Sequence, residues 1–387
     1  MVPSVVVSAR GESRLRDGHL WIYRSDVTQV RASPGDVVRL IGPRSRVLGH
    51  ALFSDQSQIA LRLLTSGDQS PDSTFWRDRI QAAIAFRESL AIDATAYRLI
   101  HGEADLLPSL IVDRYADCLV VQALSQGVDR LLPELVRILV QLTGANGVLA
   151  RNDPKVRLLE GLVQRVELVH GQVPDHVVVR EGAIEYQADL WRGQKTGLFL
   201  DQRENRSAAA RYAHGRLLDC FSYNGGFALQ LASRCPEVIA VDVSDEAVAR
   251  TQANAARNRL THVQTLSANV FDDLRRREQE GERFDTIVLD PPAFAKNRAS
   301  VPRALAGYKE INRRALKLLR TGGYLVTCSC SYNVDEAMFG QLLHDAALDS
   351  DARVTVVEKR MQSRDHPVLL GMPETYYLKC LILRRVL

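Results

Sequence analysis

Two cysteines one residue apart, Cys328 and Cys330 in "YLVTCSCSYN", are the first side chains whose type and spacing could do chemistry. They close an apolar run, and period-two alternation places them on one face of a strand, about 6 to 7 Å apart along it. Four readings are open: core filler, metal ligands, a redox pair or a nucleophile. The six cysteines, at 118, 220, 235, 328, 330 and 380, form no CxxC pair and no cysteine–histidine ladder, which speaks against structural zinc and leaves no metal expected. A strand holds alternate side chains parallel instead of converging, which speaks against a disulfide. Cys330 lies nearer the carboxyl edge and is better placed to reach a ligand, while Cys328 is expected to pack in the sheet. The second chemical signal is "LDPPAF", residues 289–294. Its two prolines stiffen the loop and remove two backbone donors, leaving Asp290 and the carbonyls to face a target. Phe294 either offers a stacking face to a base or packs in the core.

A scaffold must bring these groups together. From about residue 190 the chain repeats strand, loop, helix five times, from "GRLLDCF" to "GGYLVTCSC". That alternation predicts an open parallel sheet. "RVTVVEKR" and "TYYLKCLILRRV" follow without a long helix between them and are expected to pair as an antiparallel edge. Ligands in such sheets bind outside the carboxyl ends of the strands. The first loop there is "DCFSYNGG", in which Gly225 and Gly226 permit a tight turn close to a ligand. The three-glycine dinucleotide pattern and the Walker lysine loop are both absent, which disfavours hydride transfer and nucleotide hydrolysis. Asp242 ends the second strand, where a carboxylate can accept from the two hydroxyls of a ribose. Asn269 ends the third and either meets an adenine edge or caps the next helix.

Ahead of this sheet, residues 1–66 read as short strands separated by turn residues, a small β barrel. "TSGDQSPDST" marks a domain boundary, and residues 75–185 read as a central α+β unit. Residues 1–66 hold nine arginines against five acidic residues, and the whole chain has 43 arginines and seven lysines. That bias suits phosphate contacts, or reflects a GC-rich codon supply. No run approaches the ~18 apolar residues of a membrane span, and "VVV" is too short for a secretory signal. A cytoplasmic enzyme without a membrane partner is expected.

"LDCFSYNGGF", "VIAVDVSDEAVARTQANAARN", "SANVFDD" and "FDTIVLDPPAF" together resemble the successive motifs of class I S-adenosylmethionine-dependent methyltransferases. The resemblance implies S-adenosylmethionine as cofactor. Asp219 would lie near its amino-acid part, the Phe221, Ser222, Asn224, Gly225 and Gly226 loop would wrap it, and Asp242 and Asn269 would hold the nucleoside. "RGQKTGLFLDQRENR" is similar to a segment that, in one branch of RNA methyltransferases, closes over cofactor and substrate; it contributes Lys195, Thr196, Asp201, Gln202 and Arg203, unless it is only a polar crossing. With "RLIHGEADLLPSLIVDRYAD", "LDPPAFAK" and "DHPVLLGMPETYYLK" added, the whole chain resembles the ribosomal RNA large subunit methyltransferase I family.

That resemblance implies a PUA-like RNA-binding barrel at 1–66, a central α+β domain at 75–185 and a Rossmann-like methyltransferase domain at 190–387. It also implies methylation of carbon 5 of a cytosine in large-subunit ribosomal RNA, with Cys330 as nucleophile assisted by Asp290. Arg14, Arg16, Arg39, Arg44 and Arg46 would position the RNA, and a homodimer is left open. Ala293 after Pro292 departs from the Pro-Cys loop of another branch of these enzymes. His366 reads as a structural histidine rather than a catalytic one. The rival readings are an exocyclic-amine methyltransferase using the Asp-Pro-Pro loop and a catalytically silent RNA-binding assembly factor.

Overall fold

The computed structural model describes residues 2–295 and 297–387. Its backbone divides into two compact units: Met1–Val179 with Ala188–Leu200 and Arg364–Thr375, and Asp201–Ser363 with Arg180–Gln187 and Tyr376–Leu387.

The first unit carries two sheets. Six strands between Ser4 and Ser66 form one, with Val5, Ile22, Val38, Leu40 and Leu61 in its core. An unforeseen helix, Ala9–Arg16, sits among them; Ser8 Oγ caps it by accepting from Gly11 N, and it carries Arg14 and Arg16. Five strands, from Ala96–His101 to Arg165–Gly171, form the other, covered by the helices Ser73–Ser89 and Gln126–Thr143. Leu52 and Leu64 of the six-stranded sheet are buried in the same core as Ile80 and Leu132, so the polar link at 65–74 joins two sheets of one unit.

The second unit is built on seven strands: β1 Arg216–Cys220, β2 Glu237–Asp242, β3 Val263–Ser267, β4 Phe284–Leu289, β5 Leu319–Ser329, β6 Val354–Arg360 and β7 Lys379–Arg385. Their order is β3-β2-β1-β4-β5-β7-β6. The first five run parallel; β7 pairs antiparallel with β5, and β6 antiparallel with β7, giving the closing edge expected from the sequence. Alternate residues feed opposite cores, Leu218, Ile239 and Ile287 on one face and Leu217, Val238 and Val288 on the other. Burial on both faces is why these strands read as nearly continuous apolar runs. Among the described residues no helix is long and apolar enough to cross a membrane.

Candidate functional site

The loop leaving β1 is strained. Phe221, Tyr223 and Gly225 have φ of 64°, 53° and 83°, a region that costs a residue with a side chain free energy unless its surroundings enforce it. Here they do. Ser222 N donates to Val241 O (3.0 Å), Tyr223 N to Asp242 Oδ2 (2.8 Å), Thr251 Oγ1 to Tyr223 O (3.0 Å) and Asn254 Nδ2 to Asn224 O (3.2 Å). Gly225 combines its positive φ with crowding, since a Cβ there would lie 2.9 Å from Thr251 Cγ2. Gly226 faces Arg206, whose guanidinium is fixed by Glu181, and its carbonyl accepts from Tyr186 Oη at 3.2 Å.

Asp219 lies beneath this loop, 1% exposed. Its Oδ2 accepts from Ser222 Oγ (2.7 Å) and Ala228 N (2.9 Å), while its Oδ1 is buried with no hydrogen-bond partner among the described residues. Burial pushes this carboxyl up to about 7 against those two hydrogen bonds, and the Asp290 and Asp242 charges add to the rise. A buried acceptor with an unused oxygen at the mouth of a tight loop fits a bound ammonium, such as the amino-acid end of S-adenosylmethionine. Asp242 accepts from Tyr223 N and, at 3.0 Å, from Ser244 N, so each oxygen keeps a second lone pair for a ribose hydroxyl. Asn269 is exposed and caps the helix Val270–Gln279, its Oδ1 accepting from Phe271 N at 2.9 Å. The cap is thus the role the structure gives it.

Two strands away the thiols separate. Leu289 of β4 pairs with Thr327 of β5, so Asp290 and Cys328 each follow the last pair between the two strands. Cys328 is fully buried and faces Cys380 across β7; burial and that neighbour push its thiol well above the usual range. Cys330 stands one residue beyond the strand, half-buried, with Sγ 3.8 Å from Pro291 O. Asp290 Oδ1 accepts from Gln202 Nε2 at 2.8 Å, and Gln202 Oε1 accepts from Asn205 Nδ2 at 2.6 Å. Gln202, expected at the cofactor, therefore braces the Asp-Pro-Pro loop. Ser331 Oγ ties the loop's far end, accepting from Ala295 N (3.1 Å) and sharing a hydrogen bond with Tyr308 Oη (3.0 Å). Phe294 is half-buried and packs against Phe221, Phe271 and Tyr308, with ring centroids 6.4, 6.0 and 4.6 Å away.

Asp201 and Arg203 belong to the second unit, and the other expected residues lie in the first. Thr196 is buried, its hydroxyl donating to Asp113 Oδ2 (2.6 Å) and bonded to Tyr115 Oη (3.0 Å), so its side chain holds the fold. Lys195 is exposed, with its Nζ 4.4 Å from the Phe199 ring centroid. Arg16 and Arg46 both pair with Glu12, and Arg39 with Asp68; Arg14 lies over the Tyr23 ring at 4.7 Å, and Arg44 is exposed. His366 is buried against Asp365 Oδ1 (3.1 Å) and the His101 ring, a structural setting. Sequence reasoning missed Thr251, Asn254, Ser331 and Lys379. Only Lys379 left a legible mark, a lysine inside the apolar strand "LKCLIL" of an arginine-rich chain.

Residues 97–383 match the S-adenosylmethionine-dependent methyltransferase family, and residues 5–66 match a PUA-like domain. The chain is 40% identical over its full length and that of the relative to "Ribosomal RNA large subunit methyltransferase I" of Tolumonas auensis. It is 39% identical to the protein of the same name from Shewanella frigidimarina, covering 96% of this chain and 97% of that one. Among solved structures, a methyltransferase complexed with SAH superposes with a TM-score of 0.85 at 23% identity, covering 100% of both chains, a likeness of fold.

Proposed function

The chain belongs to the ribosomal RNA large subunit methyltransferase I family of S-adenosylmethionine-dependent methyltransferases, and on that premise we propose that it methylates carbon 5 of a cytosine in large-subunit ribosomal RNA through a covalent adduct on Cys330. One observation carries the mechanism: Cys330 Sγ lies against the Pro291 carbonyl at the rim of the sheet, while Cys328 is sealed inside it.

S-adenosylmethionine supplies an electrophilic methyl group. Carbon 5 of cytosine is too weak a nucleophile to take it unaided, so covalent activation divides one hard step into easier ones. The Cys330 thiolate adds to carbon 6, and the displaced π electrons move into the ring, where Asp290 stabilises the developing charge by giving a proton to ring nitrogen 3. Carbon 5, so activated, would take the methyl group that bound S-adenosylmethionine supplies, its sulfonium leaving as the neutral thioether. Loss of the carbon 5 proton to a base returns its electron pair to the 5,6 double bond, the carbon–sulfur bond breaks towards Cys330, and Asp290 recovers its proton. The cytosine must be unstacked for this approach. Arg14, Arg16, Arg39, Arg44 and Arg46 of the PUA-like region supply contacts to the RNA backbone, with Arg44 contributing most because Arg16, Arg39 and Arg46 already hold carboxylate partners.

RNA containing 5-fluorocytidine tests the reading, because fluorine, unlike hydrogen, cannot leave carbon 5 as a cation, and the adduct persists. The unaltered protein with S-adenosylmethionine should give a denaturation-resistant protein–RNA band that Cys330→Ala lacks. Methyl transfer to normal RNA without any trapped band would instead favour direct transfer to an exocyclic amine.

A further inference from the structure

Lys379 stands in β7 opposite Ser329 of β5 and is 2% exposed. Its Nζ donates to the carbonyl oxygens of Ser331 (2.7 Å) and Tyr377 (2.9 Å). Among the described residues no carboxylate pairs with it. A buried ammonium held only by neutral carbonyls is costly, and it favours an anion nearby. The carbonyl that grips it belongs to the residue next to Cys330.

Charged and titratable groups at this corner, among the described residues, include those of four elements. Lys379 is on β7; burial brings its ammonium down to about 8, opposed by the Cys330 and Asp335 charges. Asp335 begins the helix Glu336–Leu348, where its Oδ1 is occupied as the cap, accepting from Met338 N at 2.8 Å. Tyr308, on the helix Val301–Leu318, is raised first by burial and also by the Cys330 charge. Asp290 follows β4, where its Oδ1 is held by Gln202 Nε2 at 2.8 Å. Lys379 is the cation of this group, and its charge and that of Cys330 favour one another.

We propose that Lys379 is the positioning residue of the nucleophile: its buried ammonium is the counter-charge that keeps Cys330 as a thiolate, while its hydrogen bond to Ser331 O fixes the turn that carries the sulfur. This rests on the reading of Cys330 as the attacking group. Lys379 acts through Cys330 and needs no contact with the RNA.

The test titrates the thiol without RNA or cofactor. The rate of iodoacetamide labelling of Cys330, followed by peptide mass spectrometry from about pH 6 to about pH 10, should give a midpoint below the ~8.5 of an ordinary thiol. Lys379→Met should move that midpoint up by about one unit or more and slow labelling at about pH 7 roughly tenfold. Lys379→Arg should restore most of it. Cys328 reports on folding within the same sample, because it stays unlabelled while the sheet is closed. If Lys379→Met opens the sheet, the midpoint of the unaltered protein still decides. A midpoint at or above ~8.5 in the unaltered protein, or an unmoved midpoint in folded Lys379→Met, overturns the proposal. So does a normal titration in Lys379→Met with trapped enzyme–RNA adduct, which would move Lys379 to the proton-removal step. Methyl transfer surviving in Cys330→Ala would remove the covalent mechanism instead, and it would leave the thiol titration standing as a separate result.

Discussion

The loops that follow β1 and β4 both leave neighbouring parallel strands at the same edge of the sheet, yet they are built on opposite principles. The β1 loop gains its shape from strain, with three of the five residues from Phe221 to Gly225 at positive φ. The β4 loop gains it from stiffness, with Pro291 and Pro292 fixed in φ and the ends tied by Gln202 and Ser331. Their polar atoms differ in the same sense. The β1 loop leaves Asp219 Oδ1 unsatisfied and so has an oxygen to offer a bound cation, whereas the β4 loop uses Asp290 Oδ1 on Gln202. A binding loop keeps an unmet demand that its ligand satisfies; a reaction loop holds its groups still before the substrate arrives.

Substitutions sharpen this division, the largest expected effect falling on the reaction side. Cys330→Ala should lower methyl transfer by about four orders of magnitude or more, with S-adenosylmethionine affinity by calorimetry unchanged. Cys328→Ala, two residues earlier, should leave the rate nearly intact and cost only the ~1 kcal/mol typical of losing one small buried side-chain atom, read from denaturant unfolding. If the two variants exchanged phenotypes, the assignment of sulfur to reaction and sulfur to core would be inverted.

Next comes the binding loop. Gly225→Ala places a Cβ 2.9 Å from Thr251 Cγ2 at φ 83°, and the combined strain should weaken cofactor binding by about 100-fold. Transfer at saturating cofactor should recover. Gln202→Met is the mirror experiment: it removes the brace on Asp290 while filling similar volume, and it should lower kcat about 20-fold with little change in cofactor affinity. Loss of cofactor affinity in Gln202→Met would return that residue to the cofactor side, where the sequence first placed it.

Much of this edge was legible in advance because chemistry and strand endings coincide. Asp219, Asp242, Asp290 and Cys330 each end a run of alternating or continuous apolar residues; the parallel sheet follows from the five βα repeats, and its antiparallel closure from two trailing strands with no long helix between them. Side-chain partners were not legible. Gln202 reaches Asp290 across 88 positions and Thr196 reaches Asp113 across 83, pairings that only the tertiary packing sets. Asn269 and Phe294 each had two open readings, and each meets a local demand: Asn269 supplies the acceptor its helix start needs, and Phe294 packs a ring into an aromatic cluster. The polar link at 65–74 follows the PUA-like match at 5–66, and what composition does not reveal is that Leu52 and Leu64 share a core with Ile80.

The smallest expected effect lies in the pH dependence of the binding loop. Asp219 titrates at about 7 in the folded chain, above the ~3.9 of an unfolded aspartate. Between about pH 4 and pH 7 the folded state therefore holds a proton that the unfolded state has released, and this group's contribution to stability falls as pH rises through that window. Cofactor binding should run the other way. An ammonium next to Asp219 Oδ1 favours the ionised carboxylate, so binding below about pH 7 expels the proton and tightens with rising pH, levelling off above it. Affinity should be at most about tenfold weaker at pH 6 than on the plateau near pH 8. Asp219→Asn should bind more weakly throughout and lose the slope between those two pH values. A slope that persisted in Asp219→Asn would place the titrating group elsewhere and remove the contrast between an unmet acceptor in the β1 loop and a braced one in the β4 loop.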